Sequence, residues 1–83
     1  MNSRTDQLNM SRYTPSPNRV PILTSRELEV LHQMAEGHTK RRIAELLFLS
    51  LHTVDTHVRH IYEKLQVHSG RAAITKAIRA RII

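Results

Sequence analysis

The sequence predicts an all-α fold of four short helices. Three observations carry that expectation. From Ile22 onward apolar residues recur at three- and four-residue intervals, the period of an amphipathic helix, and no stretch alternates as a half-buried strand does. Each apolar stretch follows a residue or pair that caps or stops a helix: Thr24, Gly37 with Thr39, Ser50, and Ser69-Gly70. All three prolines, Pro15, Pro17 and Pro21, precede the first stretch.

Residues 1–21 combine those prolines with Ser, Asn, Thr and Arg and show no sustained hydrophobic period, so they read as a flexible arm or linker ahead of a folded unit at 22–83. The arm carries Arg4, Arg12 and Arg19 against Asp6, enough to graze phosphates. The first helix is expected from about Ser25 to Glu36. Thr24 and Glu27 form a capping box, each side chain satisfying a backbone N–H of the other. Leu28, Leu31, Met34 and Ala35 are its expected inward stripe, and Gly37 supplies the left-handed residue on which helices commonly end. Thr39 caps a second helix over about Lys40 to Phe48, with Ile43, Leu46 and Leu47 on one side. Leu49-Ser50-Leu51 interrupts the pattern, and Ser50 caps a third helix reaching about Gln66. Its apolar seam is Val54, Val58, Ile61 and Leu65. A fourth helix, about Arg71 to Ile82, carries Ala73, Ile74, Ala77, Ile78 and Ile82.

Composition excludes several classes. The chain has 83 residues and no cysteine, which removes disulfide frameworks, cysteine-ligated zinc and thiol chemistry, and fits a cytoplasmic location. A domain this small buries only about 60% of its unfolded surface, so pairing with a second copy or a ligand is expected to support it. No apolar run reaches the roughly 18–20 residues of a membrane span. Thirteen Lys and Arg against seven Asp and Glu give a net charge of +6, which points to a polyanion.

The third helix shows where such a polyanion would sit. With the apolar seam on one side, His52, Asp55, Thr56, Arg59, His60 and Glu63 fall on the other. A helix about 10–12 Å across fits the major groove of B-DNA, about 12 Å wide. Just before it come a short helix opening Thr39-Lys40-Arg41-Arg42 and a turn of about three residues. This is helix-turn-helix spacing, in which the first helix crosses the phosphate backbone and the second reads bases. Thr39, Lys40 and Arg41 lie at the positive end of that first helix, where backbone N–H groups also favour an anion.

The chain also resembles a known family. Leu23-Thr24-x-Arg26-Glu27-x-Glu29-Val30-Leu31, Ala35-x-Gly37, Ile43-Ala44, Leu47, Ser50-x-x-Thr53-Val54-x-x-His57, Ile61, Lys64-Leu65-x-Val67 and Ala73 are similar to the LuxR/GerE-type DNA-binding domain, from Leu23 to about Arg79. The resemblance implies a four-helix helix-turn-helix domain of a transcription regulator, with the third helix in the major groove of double-stranded DNA and the fourth forming a homodimer contact. It implies base-edge contacts from Asp55, Thr56 and Arg59, and backbone contacts from Thr39, Lys40, Ser50, Thr53, His60 and Lys64. RNA polymerase is a further candidate partner. Arg59 is the leading base reader, because a guanidinium pairs bidentately with guanine O6 and N7. Its alternative role is an i, i+4 partner for Asp55 on the same helix. Three positions depart from the family pattern. Asp55 stands where relatives commonly carry Lys, Arg42 where they usually carry Glu, and Gly70 where Arg is frequent.

His57 and His60, the most helix-compatible pair among six histidines, have no third ligand in view, so no metal, and no cofactor of any kind, is expected. His57 is expected to pack or hydrogen-bond at the helix junction. The apolar stripe of the fourth helix is wider than packing on three others needs. On pattern alone this stripe suits the chain's own core equally well; the family resemblance favours a second copy, with Ala73 and Ala77 allowing close approach and Ile74, Ile78 and Arg81 beside them. Two rivals stand against DNA: a small interaction module that antagonises or pairs with a larger LuxR-type regulator, and a peripheral binder of anionic membranes through the basic fourth helix. The latter would anchor on isoleucine alone, with no aromatic. Nothing combines a nucleophile, a base and a pocket, so neither catalysis nor a small-molecule ligand is expected.

Overall fold

The computed structural model describes residues 22–83; the expected arm lies outside the described residues. Four helices follow in order, α1 (Ser25–Ala35), α2 (Lys40–Leu47), α3 (Leu51–Leu65) and α4 (Gly70–Arg79). Each begins on a hydroxyl cap in extended conformation. Thr24, Thr39, Ser50 and Ser69 accept from the amides of Glu27, Arg42, Thr53 and Ala72 at 3.0–3.1 Å. One such cap is worth about 0.5–2 kcal/mol, so four of them place the helix starts firmly. The Thr24–Glu27 box closes reciprocally.

The helices also share one way of ending. A left-handed residue follows the last turn, its amide bonds back three residues, and the next amide bonds back five. The left-handed residues are Gly37 (φ 90°), Phe48 (φ 57°), Gln66 (φ 57°) and Arg81 (φ 60°). The longer bonds are His38 to Gln33, Leu49 to Ala44, Val67 to Tyr62 and Ile82 to Ala77, all 2.8–3.2 Å. Only the first uses glycine. An L-residue there costs about 1–2 kcal/mol, part of which glycine gives back in unfolded-state entropy. Gln66→Gly, at an exposed position, is therefore expected to stabilise the fold by about 0.5–1 kcal/mol, or a few degrees in thermal midpoint by circular dichroism. A lowered midpoint would show that the Gln66 side chain makes a contact worth more than the strain.

The core is Val30, Leu31, Ile43, Ala44, Val54, Val58, Ile61, Leu65, Ala73 and Ala77. α3 packs against each of the other three helices, and its predicted seam is buried along its whole length. Two expectations need correction. On α1 the buried face is Glu27, Val30 and Leu31, while Ala35 is exposed. The face is centred on Val30, and an acidic residue inside it disguises the apolar stripe. α4 starts at Gly70 and stops at Arg79, three residues short of the expected end, because Arg81 turns the chain left-handed and folds Ile82 and Ile83 back onto the core. A Cβ on Gly70 would lie 3.4 Å from Tyr62 Oη and 3.5 Å from Met34 Cε, ordinary contact distances. The departure at Gly70 thus sits where α4 starts beside α1 and α3.

Candidate nucleic-acid interface

The side of α3 turned away from its seam is left open by the described residues: His52, Arg59, His60 and Glu63 are exposed, Asp55 and Thr56 half-exposed. Beside it the start of α2 presents Thr39, Lys40 and Arg41, all exposed, and the turn adds Ser50 with half-exposed Thr53 next to it. The fold thus brings the predicted base-edge and phosphate residues of α2, the turn and the first half of α3 onto one surface. Ser50 Oγ accepts from the Thr53 amide at 3.0 Å and donates to Thr53 Oγ1 at 2.9 Å, tying the turn to the first turn of α3. Thr56 donates to the His52 carbonyl at 3.1 Å, which leaves its hydroxyl oxygen lone pairs and methyl for a partner.

The ion pairs differ from the local expectation. Asp55 does not meet Arg59 one turn along; its Oδ1 lies 3.0 Å from Lys40 Nζ on α2. The spacing rule for a single helix could not register a partner supplied by a second helix packed alongside. Arg59 and Arg41 make no ion pair among the described residues, and both are exposed. Arg42 pairs with Glu45 at 3.1 Å, so the cation gained at that departure is already answered within α2.

At the far end of α3 the charges turn inward. Glu27, only 3% exposed, accepts from Lys64 Nζ at 2.8 Å and from the Thr24 amide at 2.9 Å on the same oxygen, and its other oxygen lies 3.8 Å from His60 Nδ1. Burial pushes the Glu27 carboxyl up, but the hydrogen bonds from Lys64 and Thr24 and the Lys64 charge outweigh it, so the group titrates below its ordinary value. Lys64 and His60, both expected on phosphate, are thus drawn towards a carboxylate of α1. The capping box marks Glu27 in the sequence; nothing there marks a partner 37 residues away. His57 is half-buried, and its Nδ1 is sealed from solvent without a hydrogen-bond partner. Among the described residues no group of three His, Asp or Glu side chains is arranged to hold a metal, and no helix is long and apolar enough to cross a membrane.

The expected pairing surface on α4 divides. Ala73 and Ala77 are fully buried inside the single chain, so they cannot provide close approach of a second copy. They are spent on packing α4 against the core, which small side chains allow. Ile78 is 57% exposed, Ile74 half-buried and Arg81 exposed.

Residues 21–77 match the model of the bacterial regulatory proteins of the luxR family. The chain belongs to that family. Its match covers α1 to α3 and most of α4, the same helix-turn-helix unit described above. The chain is 48% identical over 69 residues to the uncharacterized response regulatory protein YgeK of Escherichia coli, covering 83% of this chain and 44% of YgeK. It is 46% identical over 52 residues to the nitrate/nitrite response regulator protein NarP of the same organism, covering 63% of this chain and 24% of NarP. Among solved structures, the response regulator ChrA of a heme-sensing two-component system superposes with a TM-score of 0.73 at 43% identity, over 82% of this chain and 33% of ChrA. The chain therefore spans less than half the length of these relatives. The luxR family is one of regulators, not enzymes.

Proposed function

We propose that this luxR-family domain is the sequence-specific, double-stranded DNA-binding part of a cytoplasmic transcription regulator. The observation that carries the reading is the open outer face of α3 set beside the basic start of α2. α3 enters the major groove with Asp55, Thr56 and Arg59 towards base edges, while Thr39, Lys40, Arg41, Ser50 and Thr53 meet phosphates. Lys64 contributes less, because its ammonium already pairs with Glu27, and His60 lies at the same end of the face. Two copies bind half-sites about 10 bp apart, as two-fold helix-turn-helix proteins do. The exposed Ile78, with Ile74 and Arg81, supports pairing through α4.

Selection of bound sequences from a randomised duplex pool, repeated across salt concentrations, tests the reading. The chain should enrich two related half-sites at that spacing. Arg59→Ala should lose about 1–3 kcal/mol of discrimination at one base pair. Arg41→Ala should weaken every sequence alike and flatten the salt dependence by about one unit. No enrichment by the parent chain, or variants indistinguishable from it, would refute the assignment of this face.

A further inference from the structure

Lys40 faces phosphate and Asp55 a base edge in the proposed complex, yet in the free chain they hold each other at 3.0 Å across α2 and α3. While that contact lasts, Lys40 directs its charge at a carboxylate, and Asp55 offers the groove one oxygen fewer. Both side chains are about half exposed, so the pair is held weakly enough to open. The bases decide whether opening is repaid. A carboxylate can only accept, and in the major groove the amino donors are cytosine N4 and adenine N6; guanine O6 and N7 and thymine O4 present acceptors to it.

Resting on the DNA-binding reading, we propose that Asp55 is a specificity-determining residue acting by partner exchange with Lys40. Where the base within its reach is cytosine or adenine, Asp55 leaves Lys40 for the amino group and the freed ammonium moves to the adjacent phosphate. Where the base within its reach is guanine or thymine, which presents only acceptors, the pair stays closed and the duplex forfeits both contacts. Lys40 is then a conditional phosphate contact, unlike Arg41, which makes no ion pair among the described residues. A carboxylate at this place thereby becomes a filter: it withholds one cation from duplexes of the wrong sequence, and it does so without touching the core.

The test uses the 83-residue chain and its Lys40→Ala, Asp55→Ala and doubly substituted forms. Each is titrated across salt concentrations with a mixed-sequence duplex and with a duplex the parent selects from a randomised pool. On the mixed duplex Lys40→Ala should leave the salt slope nearly unchanged. Asp55→Ala should steepen it by about one unit and tighten binding up to about fivefold, and the double substitution should return it to the parent value. On the selected duplex Lys40→Ala should flatten the slope by about one unit, and Asp55→Ala should lose the preference for cytosine or adenine at one position. Unchanged helical circular dichroism would confirm that the half-exposed substitutions leave the fold intact. Additive effects, with Lys40→Ala flattening the slope equally on both duplexes, would overturn partner exchange while leaving DNA binding standing. Failure of the parent to bind any duplex would overturn both.

Discussion

Ile61→Ala is expected to remove about 2–5 kcal/mol of stability, much of what a folded unit of this size possesses. At about 0.05–0.15 kcal/mol per residue, residues 22–83 are held by roughly 3–9 kcal/mol. Ile61 is fully buried, and it lies on the helix that packs against all three others, so a cavity there is bordered by elements that cannot all collapse into it. Ile61→Val, which removes one methylene, should cost only about 0.5–1.5 kcal/mol. Urea denaturation followed by circular dichroism measures both. A loss below about 1 kcal/mol for the alanine variant would mean that the α3 seam is loosely packed, and that the orientation of its outer face is not held by the core.

Glu27→Gln is expected to cost about 1–3 kcal/mol and to change the response to acid. The substitution keeps the shape and an oxygen for the Thr24 amide, but it leaves Lys64 without its counter-charge beside a largely buried group. Half-exposure of Lys64 keeps the loss below that of a sealed ion pair, since water can reach the stranded ammonium. The sign of the pH effect follows from the direction of the shift. The folded carboxyl titrates below its unfolded value, so its contribution is fully present above the ordinary carboxylate range and drains away as pH falls through the lower folded value. Parent and variant should therefore differ most near neutral pH and converge in acid. A stability gap that persists unchanged at low pH would show that Glu27 acts by shape and capping alone.

Much of the fold was legible because its signals are local. Hydroxyl caps mark where α1, α2 and α3 begin, and the spacing of Val54, Val58, Ile61 and Leu65 gives the buried side of α3 directly. The helix ends were harder. Gly37 announces its left-handed conformation, whereas Phe48, Gln66 and Arg81 adopt the same conformation with side chains that do not advertise it. Local pattern alone therefore runs α4 on through Ile82. Phe48, 94% exposed at the end of α2, likewise gives no sign in the sequence that it lies outside the core.

The interface follows the same division. Which residues share the outer face of α3 is a matter of helical period and could be read in advance. Which charges meet is a matter of how helices pack. Asp55 has an arginine one turn away on its own helix, yet the neighbouring helix places Lys40 within 3.0 Å. Lys64 looks like a surface cation until α1 brings Glu27 against it. Ala73 and Ala77 illustrate the limit on the apolar side: small residues on a stripe suit a second chain or the chain's own core equally well, and only their complete burial distinguishes the two.

The most direct measurement is a map of backbone amide chemical shifts as the 83-residue chain is titrated with a duplex it has selected. Insertion of α3 predicts the largest changes at Thr39, Lys40 and Arg41, at Ser50 and Thr53, and at Asp55, Thr56 and Arg59, with small changes along the Val30–Leu31 side of α1. Perturbations concentrated on α1 or α4, with the outer face of α3 unmoved, would contradict it.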